Sequence, residues 1–231
     1  EERSLWTQRY DRPISDVLMM YGDMAGAIAA NIQVKLTADE KSRFAGARQV
    51  NPEAYDAYFK GSYQVLKLTR AGTDAAQNYF ELALEKAPYY APAYAGIAFA
   101  WAARRQMGFL PAKEAGEKQR EAAIKALALD DTCAEAHFAI AAVMGWSDWN
   151  WKGAEMEFLR TIQLDPQYAL AHAYYSHILA IIGRFDEAVF HMERALELDP
   201  YNALFHSLNA GVLNFLERYD EAETAGRTAL S

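Results

Sequence analysis

Three histidines recur at nearly even steps along the chain: His137, His172 and His206. Imidazole titrates near neutral pH and is a frequent metal ligand, so an even series of them raises a question of chemistry. A metal site would need several ring nitrogens about 2.0–2.1 Å from one ion. If the three rings sit on successive helices packed about 8–10 Å apart, two could converge on an ion and three could not. The competing reading is packing, and the neighbouring pattern favours it, because Tyr58 and Tyr94 occupy the same position earlier in the chain. No metal and no cofactor is expected. His177 and His191 fall at other positions in the pattern.

Searches for other chemistry fail. There is no Gly-x-x-x-x-Gly-Lys-Ser/Thr, no Gly-x-Gly-x-x-Gly after a strand, no His-Glu-x-x-His and no Gly-x-Ser-x-Gly. No constellation of acid, base and nucleophile is apparent, so an enzyme is not expected. Cys133 is the single cysteine, which excludes an internal disulfide or a thiolate cluster and fits a reducing, cytoplasmic compartment. No run of 18 apolar residues is present to span a membrane. A net charge of −8 argues against a phosphate-binding surface.

The elements that would position these residues are legible in a period. Asp165-Pro166 recurs 34 residues on as Asp199-Pro200, and Gly183-Arg184-Phe185-Asp186-Glu187-Ala188 recurs as Glu217-Arg218-Tyr219-Asp220-Glu221-Ala222. Pro52, Pro88, Asp131, Pro166 and Pro200 mark equivalent turns, at steps of 36, 43, 35 and 34. A fixed period in this range indicates a solenoid, in which one unit cannot bury its apolar face alone. The longest step places about nine extra residues around Gly108–Pro111, and a shorter one places a single extra residue within Trp146–Trp151.

The unit resembles the tetratricopeptide repeat, two antiparallel helices in 34 residues. The resemblance covers Asn51–Ser231 in five copies: 51–87, 88–130, 131–165, 166–199 and 200–231. It implies an all-α, right-handed superhelix whose concave face is lined by the first helix of each unit. Carried over by position, that face takes Phe99, Ala102 and Ala103; then Glu135, Phe138 and Trp146; then Leu170, His177 and Ile181; then Leu204, Ser207, Asn214 and Phe215. These residues are mostly apolar or aromatic and lack the Lys/Arg/Asn set that clamps a peptide's terminal carboxylate. The implied partner site is therefore Phe99, Phe138, Trp146, His177, Ile181, Asn214 and Phe215, suited to an amphipathic helix or an extended apolar segment. Two fates remain open for Trp146: it lines that surface, or it is buried between helices. Trp151 matches Phe185 and Tyr219 and reads as a core residue at the turn.

Residues 1–50 read differently. Leu5–Tyr10 is a short strand-like run stopped by Asp11-Arg12-Pro13, and Leu18, Tyr21, Ala25, Ile28, Ile32 and Leu36 repeat at helical spacing. A second helix start follows at Thr37. Leu5-Trp6, Arg9-Tyr10-Asp11-Arg12 and the helix after them resemble the closing strand and helix of the TolB/FlgO-like domain. That domain precedes such repeats in bacterial Ser/Thr-kinase receptors, adenylate cyclases and winged-helix regulators. With Glu1 rather than Met at the start, the expectation is a piece of a longer signalling protein.

Two functions of different class follow. The first is a protein–protein interaction scaffold that docks a protein or peptide partner in the apolar concave groove. The alternative is a structural module that packs on its own missing domain or forms a homo-oligomer. The apolar face of residues 14–36 competes with an external partner for the first half of the groove. Neither nucleic acid nor a membrane is expected as a partner.

Overall fold

The computed structural model describes residues 51–230, and among these residues it contains ten helices and no strand. In chain order they are α1 (Pro52–Val65), α2 (Arg70–Lys86), α3 (Ala91–Gln106), α4 (Ala112–Leu129), α5 (Ala134–Trp146), α6 (Trp151–Leu164), α7 (Ala169–Ile181), α8 (Phe185–Leu198), α9 (Ala203–Phe215) and α10 (Tyr219–Ala229). The strand, amphipathic helix and second helix start expected within residues 1–50 lie outside the described residues.

The helices pair in sequence order into five hairpins. The first helix of each hairpin packs on the first helix of the next, α1 on α3, α3 on α5, α5 on α7 and α7 on α9. The second helices α2, α4, α6 and α8 meet the following hairpin through its first helix. Odd-numbered helices therefore line the inner face and even-numbered ones the outer face. This is the all-α helical-hairpin solenoid that the period implies.

Local chemistry sets the breaks. Within every hairpin one turn residue has a positive φ: Leu68 (51°), Gly108 (68°), Trp149 (56°), Gly183 (81°) and Glu217 (59°). The left-handed conformation ends a helix and reverses the chain. After the second and the third hairpin an aspartate closes the turn. Asp130 Oδ1 accepts from the Thr132 N–H at 2.9 Å, and Asp165 Oδ1 accepts from the Gln167 N–H at 3.0 Å. Helix α9 begins with a capping side chain at Asn202, as α1 does at Asn51.

The core is a repeating seam. Phe80, Ala123, Phe158 and Met192 occupy equivalent positions on α2, α4, α6 and α8, and all four are buried. Burying a large apolar side chain, as at Phe80, Phe158 and Met192, is worth about 1.5–3 kcal/mol. The Phe80 ring needs glycine on both sides of it. A Cβ at Gly61 of α1 or Gly96 of α3 would stand 2.7 or 2.5 Å from that ring. The extra residues of the second hairpin lengthen its helices, which have 16 and 18 residues against 13 and 14 in α5 and α6. Trp151 is half-buried against the core, but Phe185 and Tyr219 are exposed. As the first residues of α8 and α10 they point outward, so their shared position is not a core position there.

Candidate functional site

The three evenly spaced histidines share one structural task. His137 Nε2 donates to the Asp131 carbonyl at 2.8 Å, His172 Nε2 to the Pro166 carbonyl at 3.3 Å and His206 Nε2 to the Pro200 carbonyl at 2.9 Å. A carbonyl can only accept, so Nε2 carries the proton in each ring. Each histidine thus ties the turn that precedes its helix, six residues back. The three rings are committed to three separate turns.

Their other ring nitrogens differ. His137 Nδ1 lies 2.6 Å from Glu157 Oε2, so both nitrogens of this ring face acceptors. Only a doubly protonated ring, or a protonated Glu157, satisfies both contacts. His172 Nδ1 lies 2.9 Å from His191 Nδ1. Because His172 already donates through Nε2, its Nδ1 accepts here and His191 Nδ1–H donates. Burial, and then the neighbouring His172, push the His191 pKa down to about 4. Burial also lowers that of His172.

The inner face holds two adjoining pockets. One, of about 110 Å³, runs between α1, α3, α5 and α7 and includes Tyr58, Phe80, Phe99, Glu135, Phe138 and Tyr168. The other, of about 190 Å³, is bounded by α3, α5, α7 and α9, with Phe99, Arg105, Trp146, Tyr174, His177 and Leu208 among its walls. Phe99 is common to both, so the pockets adjoin at that ring.

Aromatic rings pave this groove. Phe99 packs on Phe138 (5.9 Å between centroids) and on Tyr174 (6.4 Å). Trp146 meets Tyr174 edge-on at 5.3 Å and stacks on His177 at 6.3 Å, and His177 in turn meets Phe215 at 6.1 Å. Such ring pairs add about 0.5–1.5 kcal/mol beyond area burial.

Of the expected site residues, Phe99, Trp146 and His177 share the larger pocket, and Phe215 touches it through the His177 ring. Phe138 is 2% exposed. Phe158, Tyr168 and Tyr174 meet its ring edge-on, so it forms the groove floor instead of a free anchor. Ile181 is half-buried and Asn214 exposed, and neither lines the two pockets. The sequence reading missed Arg105 and Tyr174. Arg105 lies two residues beyond Ala103, the last inner position that the repeat pattern marks on α3. It falls in the extension that the second hairpin's extra residues create.

Comparisons with known proteins agree with the fold. Residues 169–202 match the tetratricopeptide repeat family. A thermophilic TPR protein of Thermus thermophilus superposes with a TM-score of 0.56 at 19% identity, over 77% of this chain and 90% of that one. Pseudomonas aeruginosa PilF does so with a TM-score of 0.50 at 20% identity, over 77% and 76%. Together with the ten-helix stack, these matches define a tetratricopeptide-repeat solenoid.

In sequence, a 93-residue stretch is 31% identical to the Rhizobium meliloti (strain 1021) protein named "Putative adenylate cyclase 3". That stretch is 40% of this chain and 16% of the relative's length. Among the described residues, no helix is long and apolar enough to cross a membrane.

Proposed function

We propose that the chain is a protein–protein interaction scaffold, the repeat module of a bacterial signalling or regulatory protein, and that a partner segment docks in its concave groove. The observation that carries this reading is the pair of pockets sharing Phe99, paved by rings from α3, α5 and α7. Adjoining, largely apolar pockets with aromatic walls suit an amphipathic helix or an extended apolar segment. The stretch shared with the adenylate cyclase-named relative supports a signalling context. Any cyclase chemistry would belong to other parts of such a protein, since this fold supplies a surface.

The test is a selection of displayed 16-residue peptides on the 231-residue chain, repeated with Ala102→Trp. Ala102 is half-exposed and lines the larger pocket, so an indole there plugs the groove without disturbing the core seam. Peptides that bind wild type and lose at least tenfold in affinity on Ala102→Trp support groove docking. Peptides that bind both alike place recognition elsewhere and overturn it. Light scattering in parallel addresses the alternative. A defined oligomer of wild type that Phe215→Glu dissolves would make self-association the better account.

A further inference from the structure

Two consecutive arginines at the end of α3 have opposite fates. Arg104 points to the outer face and is fully engaged. Its guanidinium pairs with Asp74 at 2.9 Å, donates to the Thr73 carbonyl at 3.2 Å and lies over the Trp101 ring at 4.6 Å. Arg105 points the other way, into the larger groove pocket. Among the described residues its one hydrogen-bond acceptor is the neutral Ser147 hydroxyl, and no carboxylate pairs with it.

The surroundings make this an uncommon place for an uncompensated cation. Arg105 is half-buried beside Phe99, Trp146, Tyr174 and Leu208. Taking a charge out of water without a counter-ion is costly, and burial accordingly lowers the guanidinium pKa. A second polar group in the same pocket is also unspent: His177 Nδ1 is enclosed and has no hydrogen-bond partner among the described residues. The guanidinium is a planar fork that matches a carboxylate with two parallel N–H···O bonds. The chain as a whole carries a net charge of −8, so a cation held inside its apolar groove is a local exception to the surface.

Resting on the groove-docking reading, we propose that the larger pocket is an acidic-residue subsite: Arg105 receives an internal Asp or Glu side chain of the docked partner segment, flanked by an apolar residue against Trp146 and His177. An internal side chain is assigned, and not a chain terminus, because the pocket lies partway along the groove. Phe99 also lines the second pocket on one side, and the His177 ring packs on Phe215 on the other. A segment lying in the channel passes through this point in both directions.

The peptides selected on the 231-residue chain provide the test, provided they are displayed as internal sequences with no free carboxylate. The strongest binder is then synthesised with acetyl and amide ends, alongside its Glu→Gln or Asp→Asn form. Both are titrated against wild type, Arg105→Gln and Arg105→Lys. The expected result is enrichment of an acidic residue next to an apolar one. Arg105→Gln and the neutralised peptide should each lose at least tenfold in affinity, and the two combined should lose little more than either alone. Arg105→Lys should fall between, since it keeps the charge and loses the fork, and it keeps the test sound if Gln disturbs the Ser147 contact.

Selected peptides without an acid, or an equal loss on neutralisation for wild type and Arg105→Gln, overturn the acidic subsite and leave groove docking standing. Peptides that ignore Ala102→Trp remove both readings. A selection that returns nothing, while Arg105→Gln lowers the melting temperature by several degrees, would show that the guanidinium already holds a carboxylate of this chain. A dimer that Arg105→Gln dissolves would give the subsite to a second copy.

Discussion

The fourth and fifth hairpins share their Asp-Pro, Ala-Leu and Arg-x-Asp-Glu-Ala landmarks at a 34-residue step, yet equivalent positions carry different loads. Met192 of α8 is buried in the core seam, and its counterpart in α10 is Gly226, at which a Cβ would meet nothing within 4 Å. His191 of α8 shares a hydrogen bond with His172, and its counterpart is Ala225. Gly183 turns the fourth hairpin with φ of 81°, and Glu217 does the same work in the fifth at 59°. The fourth hairpin is packed between neighbours on both sides, α5 and α6 before it and α9 after it. The fifth has only the fourth to pack on among the described residues. In a stack whose stability is a sum of units and nearest-neighbour interfaces, interior positions are constrained by packing and outer ones by the local backbone alone.

The largest test of that contrast is at the seam. Met192→Ala should cost about 2–5 kcal/mol, the usual range for emptying a buried methionine site. Gly226→Ala, one repeat later, should stabilise by about 0.5–1 kcal/mol, because alanine is the better helix former and no neighbour resists it. Chemical denaturation followed by circular dichroism measures both. Losses of similar size from both changes would mean that the two hairpins share burden more evenly than their packing indicates.

The turn positions sharpen the comparison at a smaller scale. Glu217→Gly should stabilise by about 1 kcal/mol, since a non-glycine residue held in the left-handed region carries a cost of that order. Gly183→Ala should destabilise by a similar amount. If the two changes had the same sign, the turns would be governed by side-chain contacts instead of φ.

These particulars also show how far the residues alone lead. The Asp165-Pro166 and Asp199-Pro200 pairs and the Gly183–Ala188 echo carry the period, and the period carries the fold, because a solenoid is built from contacts between adjacent units. The shared position of His137, His172 and His206 was readable as structural. Their carbonyl partners six residues back were present in the spacing but became visible only with the turn's geometry. Phe99, Trp146 and His177 fall together because the helix register places them. The burial of Phe138 was hidden, since Phe158, Tyr168 and Tyr174 reach it from other helices. Arg105 was hidden for a different reason. It stands where the extra residues of the second hairpin extend α3 past the last position of the repeat pattern.

The smallest effect concerns the histidine pair, and it separates the fourth hairpin from the fifth by pH. His191 is faced by His172 and Tyr175 from α7 and by Glu187 and Arg184 from its own hairpin. His172 also feels Arg194 and Asp165. Below the ordinary histidine value of about 6.5 the unfolded chain takes up a proton that His191 resists until about 4. Stability is therefore complete above pH 6.5 and falls as pH drops toward 4. The ring is partly exposed and water screens it, so the loss should be on the order of 1 kcal/mol or less. His191→Ala gives the fourth hairpin the residue that the fifth already has at Ala225. It should flatten the stability curve between pH 7 and 5, while lowering neutral-pH stability through the lost ring packing. An unchanged slope in His191→Ala would assign the acid sensitivity to another group.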